Sequence, residues 1–87
     1  MAKVLMYATE TCPYCQRAEL LLRRKGVTDF EKIRVDLRPE LRSEMIARSG
    51  RRTVPQIWIG ERHVGGCDDL YALEREGKLD PLLKATS

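Results

Sequence analysis

Residues 3–15 read Lys3-Val4-Leu5-Met6-Tyr7-Ala8-Thr9-Glu10-Thr11-Cys12-Pro13-Tyr14-Cys15, and this stretch decides the fold. Residues 3–8 form a nearly continuous apolar run, the pattern of a central strand buried on both faces. Proline suits the first position of a helix, so Pro13 predicts a helix start with Cys12 as its N-cap. Ala18, Leu21, Leu22 and Lys25 then fall at helical spacing, and Gly26 is a natural stop.

The rest of the chain can be read outward from this strand–helix unit. Residues 31–37 alternate, with Ile33, Val35 and Leu37 on one side and Arg34 and Asp36 on the other, which predicts a half-buried strand. Pro39 opens a second helix in which Leu41 and Met45 form an apolar i, i+4 pair, and Gly50 ends it. Residues 55–59 and 62–65 flank Gly60-Glu61, and a two-residue loop with Gly first predicts a type II′ hairpin. After Gly65-Gly66, residues 67–76 read as a helix with Leu70 and Leu73 inward and Gly77 at its end. Leu79 to Lys84 could form a last short helix. The expected fold is α/β: a four-stranded mixed sheet flanked by helices, in the order β-α-β-α-β-β-α. The first two strands, joined by a helix, should be parallel with a right-handed crossover, and the hairpin antiparallel.

At 87 residues and 10.0 kDa the chain is expected to be one domain spanning 1–87. Scaling laws give about 5,200 Å² of folded surface against about 14,500 Å² unfolded, enough burial for one modest core. With 43% hydrophobic and 33% charged residues, the composition excludes a disordered chain. No apolar run approaches the ~20 residues of a membrane span, and the start lacks a secretory leader pattern. Three cysteines, an odd count, argue against a disulfide framework and for a reducing cytoplasm. The net charge of +3 is too small to imply nucleic acid. Residues 16–52, however, hold eleven Lys and Arg against six acids, either a solvated surface or a weak attraction for a small acidic ligand. A nucleic-acid role for this segment lacks interleaved aromatics and any reading motif.

The motif that carries chemistry is Cys12-Pro13-Tyr14-Cys15. With Cys12 at the N-cap, its sulfur faces free backbone N–H groups and the positive end of the helix dipole, which favour the thiolate. Thiolate is the attacking species in disulfide exchange. Cys15 lies one turn further in, deeper and less ionised, within reach of a mixed disulfide on Cys12. The spacing thus assigns a nucleophile and a resolving thiol. A zinc site would need two more ligands, and Cys67 and His63 are four residues apart rather than a second paired knuckle. Thr53-Val54-Pro55 is a second signal: a proline opening a strand, either an ordinary turn proline or a cis bond, could offer the Val54 main chain to a passing peptide. Gly65-Gly66-Cys67-Asp68-Asp69 is the third. The glycines allow close backbone approach, Asp68 or Asp69 can cap a helix, and that helix start can hold a carboxylate. Cys67 reads as a small buried thiol, or else as a site of glutathionylation or intermolecular disulfide formation. Trp58 and Phe30 read as packing, Tyr71 as partly buried, and His63 as a solvent-facing strand residue.

Together, Cys12-Pro13-Tyr14-Cys15, Thr53-Val54-Pro55 and Gly65-Gly66-Cys67-Asp68-Asp69 resemble the glutaredoxins, above all the small dithiol glutaredoxins of bacteria. The resemblance covers nearly the whole chain. It implies a thioredoxin-like fold with Pro55 cis. It also implies reduction of protein disulfides and protein–glutathione mixed disulfides, with glutathione as reductant. Cys12 would be the nucleophile and Cys15 the resolving thiol. Glutathione would lie along Thr53, Val54 and Pro55 and reach Gly66, Cys67 and Asp68 with its γ-glutamyl end. Arg42 would meet its glycyl carboxylate, and Tyr14 would flank the site. No metal is expected, and a monomer is the default. Disulfide-containing or glutathionylated proteins would be the partners; relatives serve ribonucleotide reductase. Many relatives carry Lys where this chain has Thr9, so the helix terminus or Arg17 must contribute more to the Cys12 thiolate. The wider family offers an alternative, a dimer holding an iron–sulfur cluster on Cys12 and glutathione; such carriers usually have a single-cysteine site.

Overall fold

The computed structural model describes residues 2–84. The elements are β1 (Val4–Ala8), α1 (Pro13–Arg24), β2 (Phe30–Arg34), α2 (Pro39–Ser49), β3 (Gln56–Ile59), β4 (Arg62–Gly65), α3 (Cys67–Arg75) and α4 (Leu79–Lys84). The strands form one sheet in the order β2-β1-β3-β4. β1 runs parallel to β2 and antiparallel to β3, and β3–β4 is an antiparallel hairpin. Gly60 has φ +61° and Glu61 does not share the positive sign, which suits a type II′ turn and rules out type I′. The last short helix offered by the sequence over Leu79–Lys84 forms as α4. Its Leu79 and Leu83 are buried, and the Leu83 carbonyl accepts from the Ala2 N–H at 2.9 Å.

The period-2 pleat of the central strands explains their unbroken apolar sequence. Val4, Met6 and Ala8 of β1 point with Ile57 and Ile59 of β3 into a cluster built with Ala18, Leu21 and Leu22 of α1, Leu70 of α3 and α4. On the opposite face, Tyr7, Trp58 and Val35 pack with Met45 of α2, and Leu5, Ile33 and Leu41 border them. The helices therefore cover both faces of the sheet, the thioredoxin-like arrangement the resemblance implies. The folded surface is 5351 Å², close to the scaling expectation.

Two expectations are corrected. The second strand stops at Arg34 rather than 37. Val35 still donates to the Ala8 carbonyl at 3.0 Å, but the chain then turns, with Arg34 paired to Asp36 across the bend. Leu37 is thereby carried to the surface, 68% exposed, and leaves the alternation. His63 does not face solvent freely: its ring lies 4.6 Å from Trp58, and its Nε2 meets Gln56 Oε1 at 2.8 Å.

Candidate active site

α1 begins where β1 ends, at the carboxyl edge of the sheet. Cys12 is the N-cap, with extended φ −111° and ψ 107°, and Pro13 is the first helical residue. The Cys15 N–H donates to Cys12 Sγ at 3.2 Å, and Cys12 Sγ donates in turn toward the Val54 carbonyl at 3.9 Å. A donor aimed at sulfur from a helix N-terminus stabilises its anionic form. Cys12 retains 8% exposure and Cys15 only 3%, so the first sulfur is the one a substrate can reach. Burial pushes the Cys15 thiol up to about 12, with Cys12 beside it adding to the shift. All three cysteines are free thiols.

The Val54–Pro55 bond is cis, and the Val54 carbonyl lies 3.9 Å from Cys12 Sγ at the start of α1. Gln56, the residue that follows, is fully buried in an otherwise apolar strand. Its amide donates to the Thr53 carbonyl at 3.0 Å and the Thr53 hydroxyl at 3.3 Å, while its oxygen is held by His63. Since the amide nitrogen serves Thr53, the His63 ring must donate from Nε2. Burial holds His63 below its usual value, and nearby Arg51 adds to this, so the ring is neutral near pH 7.

At α3, Gly66 is the N-cap and Asp69 reaches back to accept from the Gly66 N–H at 2.8 Å. Arg51 donates to the same carboxylate oxygen at 3.0 Å. These two contacts, the Gly66 N–H first, hold the Asp69 carboxyl below its usual value. Gly65 has φ +115°, and a Cβ there would run into the Asp69 carboxylate. A Cβ on Gly66 would lie 3.4 Å from the Pro55 carbonyl oxygen. Gly65 thus leaves room for the Asp69 cap, and Gly66 sets the α3 start in near contact with the 53–55 turn. Cys67, the first residue of α3, is buried, and burial raises its thiol, with the Asp68 charge adding to the effect.

Between these elements runs an open cleft of about 310 Å³, lined by Tyr14, Arg51, Thr53, Val54, Pro55, Gly66, Cys67, Asp68 and Asp69. Every residue expected for ligand binding lies here except Arg42. Its guanidinium instead donates to the Arg52 carbonyl at 3.1 Å, bracing the chain just before Thr53. Arg51 and Asp69 also line the cleft. Arg51 left no local signal, because its role comes from a pairing eighteen residues away. Gln56 did leave one: a lone amide after Pro55 in an apolar strand must find partners inside. Among the described residues, no group of three or more His, Cys, Asp or Glu side chains could hold a metal ion. No helix among them is long and apolar enough to cross a membrane.

The glutaredoxin family model matches residues 4–64, more than half the chain. A glutaredoxin of Pseudomonas aeruginosa is 64% identical over 85 residues, covering 98% of this chain and 100% of that protein. The solution structure of a glutaredoxin from Brucella melitensis is 62% identical, with a TM-score of 0.84 over 97% of this chain and 90% of that one. A crystal structure of a buckwheat glutaredoxin–glutathione complex is 30% identical, with a TM-score of 0.86 over 94% of this chain and 76% of that one.

Proposed function

The chain belongs to the glutaredoxin family of thiol–disulfide oxidoreductases, and from that premise we propose that it uses glutathione to reduce protein–glutathione mixed disulfides and protein disulfides. It would act as one domain in the cytoplasm. The observation that carries this reading is the pairing of an N-capping Cys12 sulfur, 3.9 Å from the carbonyl of the cleft-lining Val54, with a buried Cys15 one turn behind it.

In the first half-reaction the Cys12 thiolate attacks the glutathione sulfur of a mixed disulfide. A Cys12–glutathione disulfide forms, and the target leaves as a thiolate that takes a proton from water. A second glutathione thiolate then attacks the glutathione sulfur on Cys12, giving glutathione disulfide and restoring the Cys12 thiolate. With a protein disulfide, Cys12 forms a mixed disulfide with the protein. Cys15 loses its proton and attacks Cys12, and the target leaves with both sulfurs reduced. Two glutathiones then reduce the Cys12–Cys15 disulfide.

Cleft chemistry supports the pose. The Val54 main chain can pair with the cysteinyl backbone of glutathione as one strand pairs with another. The first N–H groups of α3, at Cys67, Asp68 and Asp69, have no helical partner and suit the γ-glutamyl carboxylate. The Asp68 carboxylate suits its ammonium. Tyr14, 54% exposed, forms the rim, and Thr53, Pro55 and Gly66 form the walls. Arg42 could meet the glycyl carboxylate by releasing the Arg52 carbonyl.

The test is turnover of a small glutathione mixed disulfide, coupled to glutathione reductase, beside reduction of a protein disulfide. Cys12→Ser is expected to lose both activities, since an alcohol does not replace the thiolate. Cys15→Ser is expected to keep the first and lose the second. Full activity of Cys12→Ser, or equal loss of both activities in Cys15→Ser, overturns the assignment of roles.

A further inference from the structure

Beyond Tyr14 the cleft continues into a second groove of about 400 Å³, lined by Tyr14, Arg17, Cys67, Asp68, Tyr71 and Arg75. Tyr14, Cys67 and Asp68 line both spaces, so the two are continuous. The groove lies between α1 and α3. Tyr71 and Arg75 share one face of α3 at i, i+4 spacing, and the Tyr71 hydroxyl donates to the Arg17 carbonyl at 3.2 Å, tying the two helices together. The Arg17 guanidinium stands 5.9 Å from the centre of the Tyr14 ring.

The groove carries more base than acid. Several neighbouring bases are engaged: Arg23 and Lys32 by Glu19, Lys25 by Glu74 and Asp80, Arg51 by Asp69. Arg24, at the end of α1, is not among the groove's lining residues. Among the described residues, no carboxylate pairs with Arg17 or Arg75. Two unengaged guanidiniums thus face a groove that holds a single acid, Asp68, at the end it shares with the cleft.

The chemistry of the reaction says what must pass here. When glutathione fills the cleft, its sulfur meets Cys12 beside Val54. The target cysteine is bonded to that same sulfur. The target polypeptide cannot share the cleft and must leave over its rim, where Tyr14 stands. We infer that the groove between α1 and α3 binds the polypeptide flanking the target cysteine, and that Arg17 and Arg75 select an acidic side chain in it. This rests on the glutathione-dependent reading above. The spacing can be bounded. Arg17 is five residues beyond Cys12, about 7.5 Å of helical rise. An extended peptide covers that in about two residues.

The experiment uses three glutathionylated peptides that differ only two residues from the modified cysteine, with Glu, Gln or Lys there. Each is compared with a small mixed disulfide that carries no polypeptide. Turnover of the small compound by the wild-type protein tests the underlying reading by itself, and its absence sinks that reading. For the groove, the expected order of kcat/KM is Glu above Gln above Lys. The span should be roughly three- to tenfold at low salt, shrinking as ionic strength rises. Taken relative to the small compound, Arg75→Gln should compress the order and Arg75→Glu should invert it. Equal kcat/KM for the three peptides, no turnover of any peptide when the small compound is reduced, or an order untouched by Arg75→Glu overturns the inference.

Discussion

At the scale of single residues, two identical side chains three positions apart are given opposite characters. Cys12 takes a backbone donor at a helix start and lies beside the cleft-lining Val54, while Cys15 is more deeply buried. Burial is the largest cause of the rise of the Cys15 thiol to about 12. A thiol held that high is almost wholly protonated at neutral pH, so its reactive fraction grows about tenfold per pH unit. The resolving step should therefore accelerate about tenfold per unit between pH 7 and 9. Release of glutathione from protein glutathionylated at Cys12, followed by rapid quench, measures it. A flat profile would mean that the proton is lost by another route, with Cys15 not limiting.

At the scale of elements, the 53–55 turn is held from behind by Gln56, which joins it to β4 through His63. Replacing Gln56 with Leu keeps the apolar volume but leaves the Thr53 carbonyl and His63 without their partner. The expected loss is about 1–3 kcal/mol of stability, read by chemical denaturation. Because the turn is one wall of the cleft, KM for a glutathione mixed disulfide should rise more than kcat falls. A loss of stability with unchanged KM would confine Gln56 to a structural role. The same network shows where sequence reasoning stops. The strand–helix unit at Cys12 was legible because a continuous apolar run and a Pro at the first helical position are local features. The α3 start was legible because two glycines in a row announce a close approach. Leu37, His63 and the Arg51–Asp69 pair were not. Each is decided by a partner far along the chain: a bend locked by Arg34 and Asp36, a ring stacked on Trp58, a guanidinium caught by Asp69.

At the scale of the whole molecule, these titrating groups set the pH range in which the fold can support the chemistry. Arg34 beside Asp36 holds that carboxyl down to about 2, against an ordinary value of 3.8. A depressed carboxylate stabilises the fold above its unfolded value, and the contribution is lost as pH falls through the folded one. The Tm of Asp36→Asn should thus lie below that of wild type at neutral pH, and the gap should close between pH 4 and 2. A constant gap down to pH 2 would show that the pair contributes nothing. His63, held below 6.5, also favours the unfolded chain on acidification, so a first decline begins below about that pH. On the alkaline side Lys25 is raised above 10.5, first by Glu74 and then by Asp80, contacts that link α1 to α3 and α4. Its contribution is complete below 10.5 and is lost above. Between these limits none of the three groups changes its charge. The pH 7 to 9 interval lies inside them, so a rate that climbs there reports the proton on Cys15 and not the loosening of the fold around it.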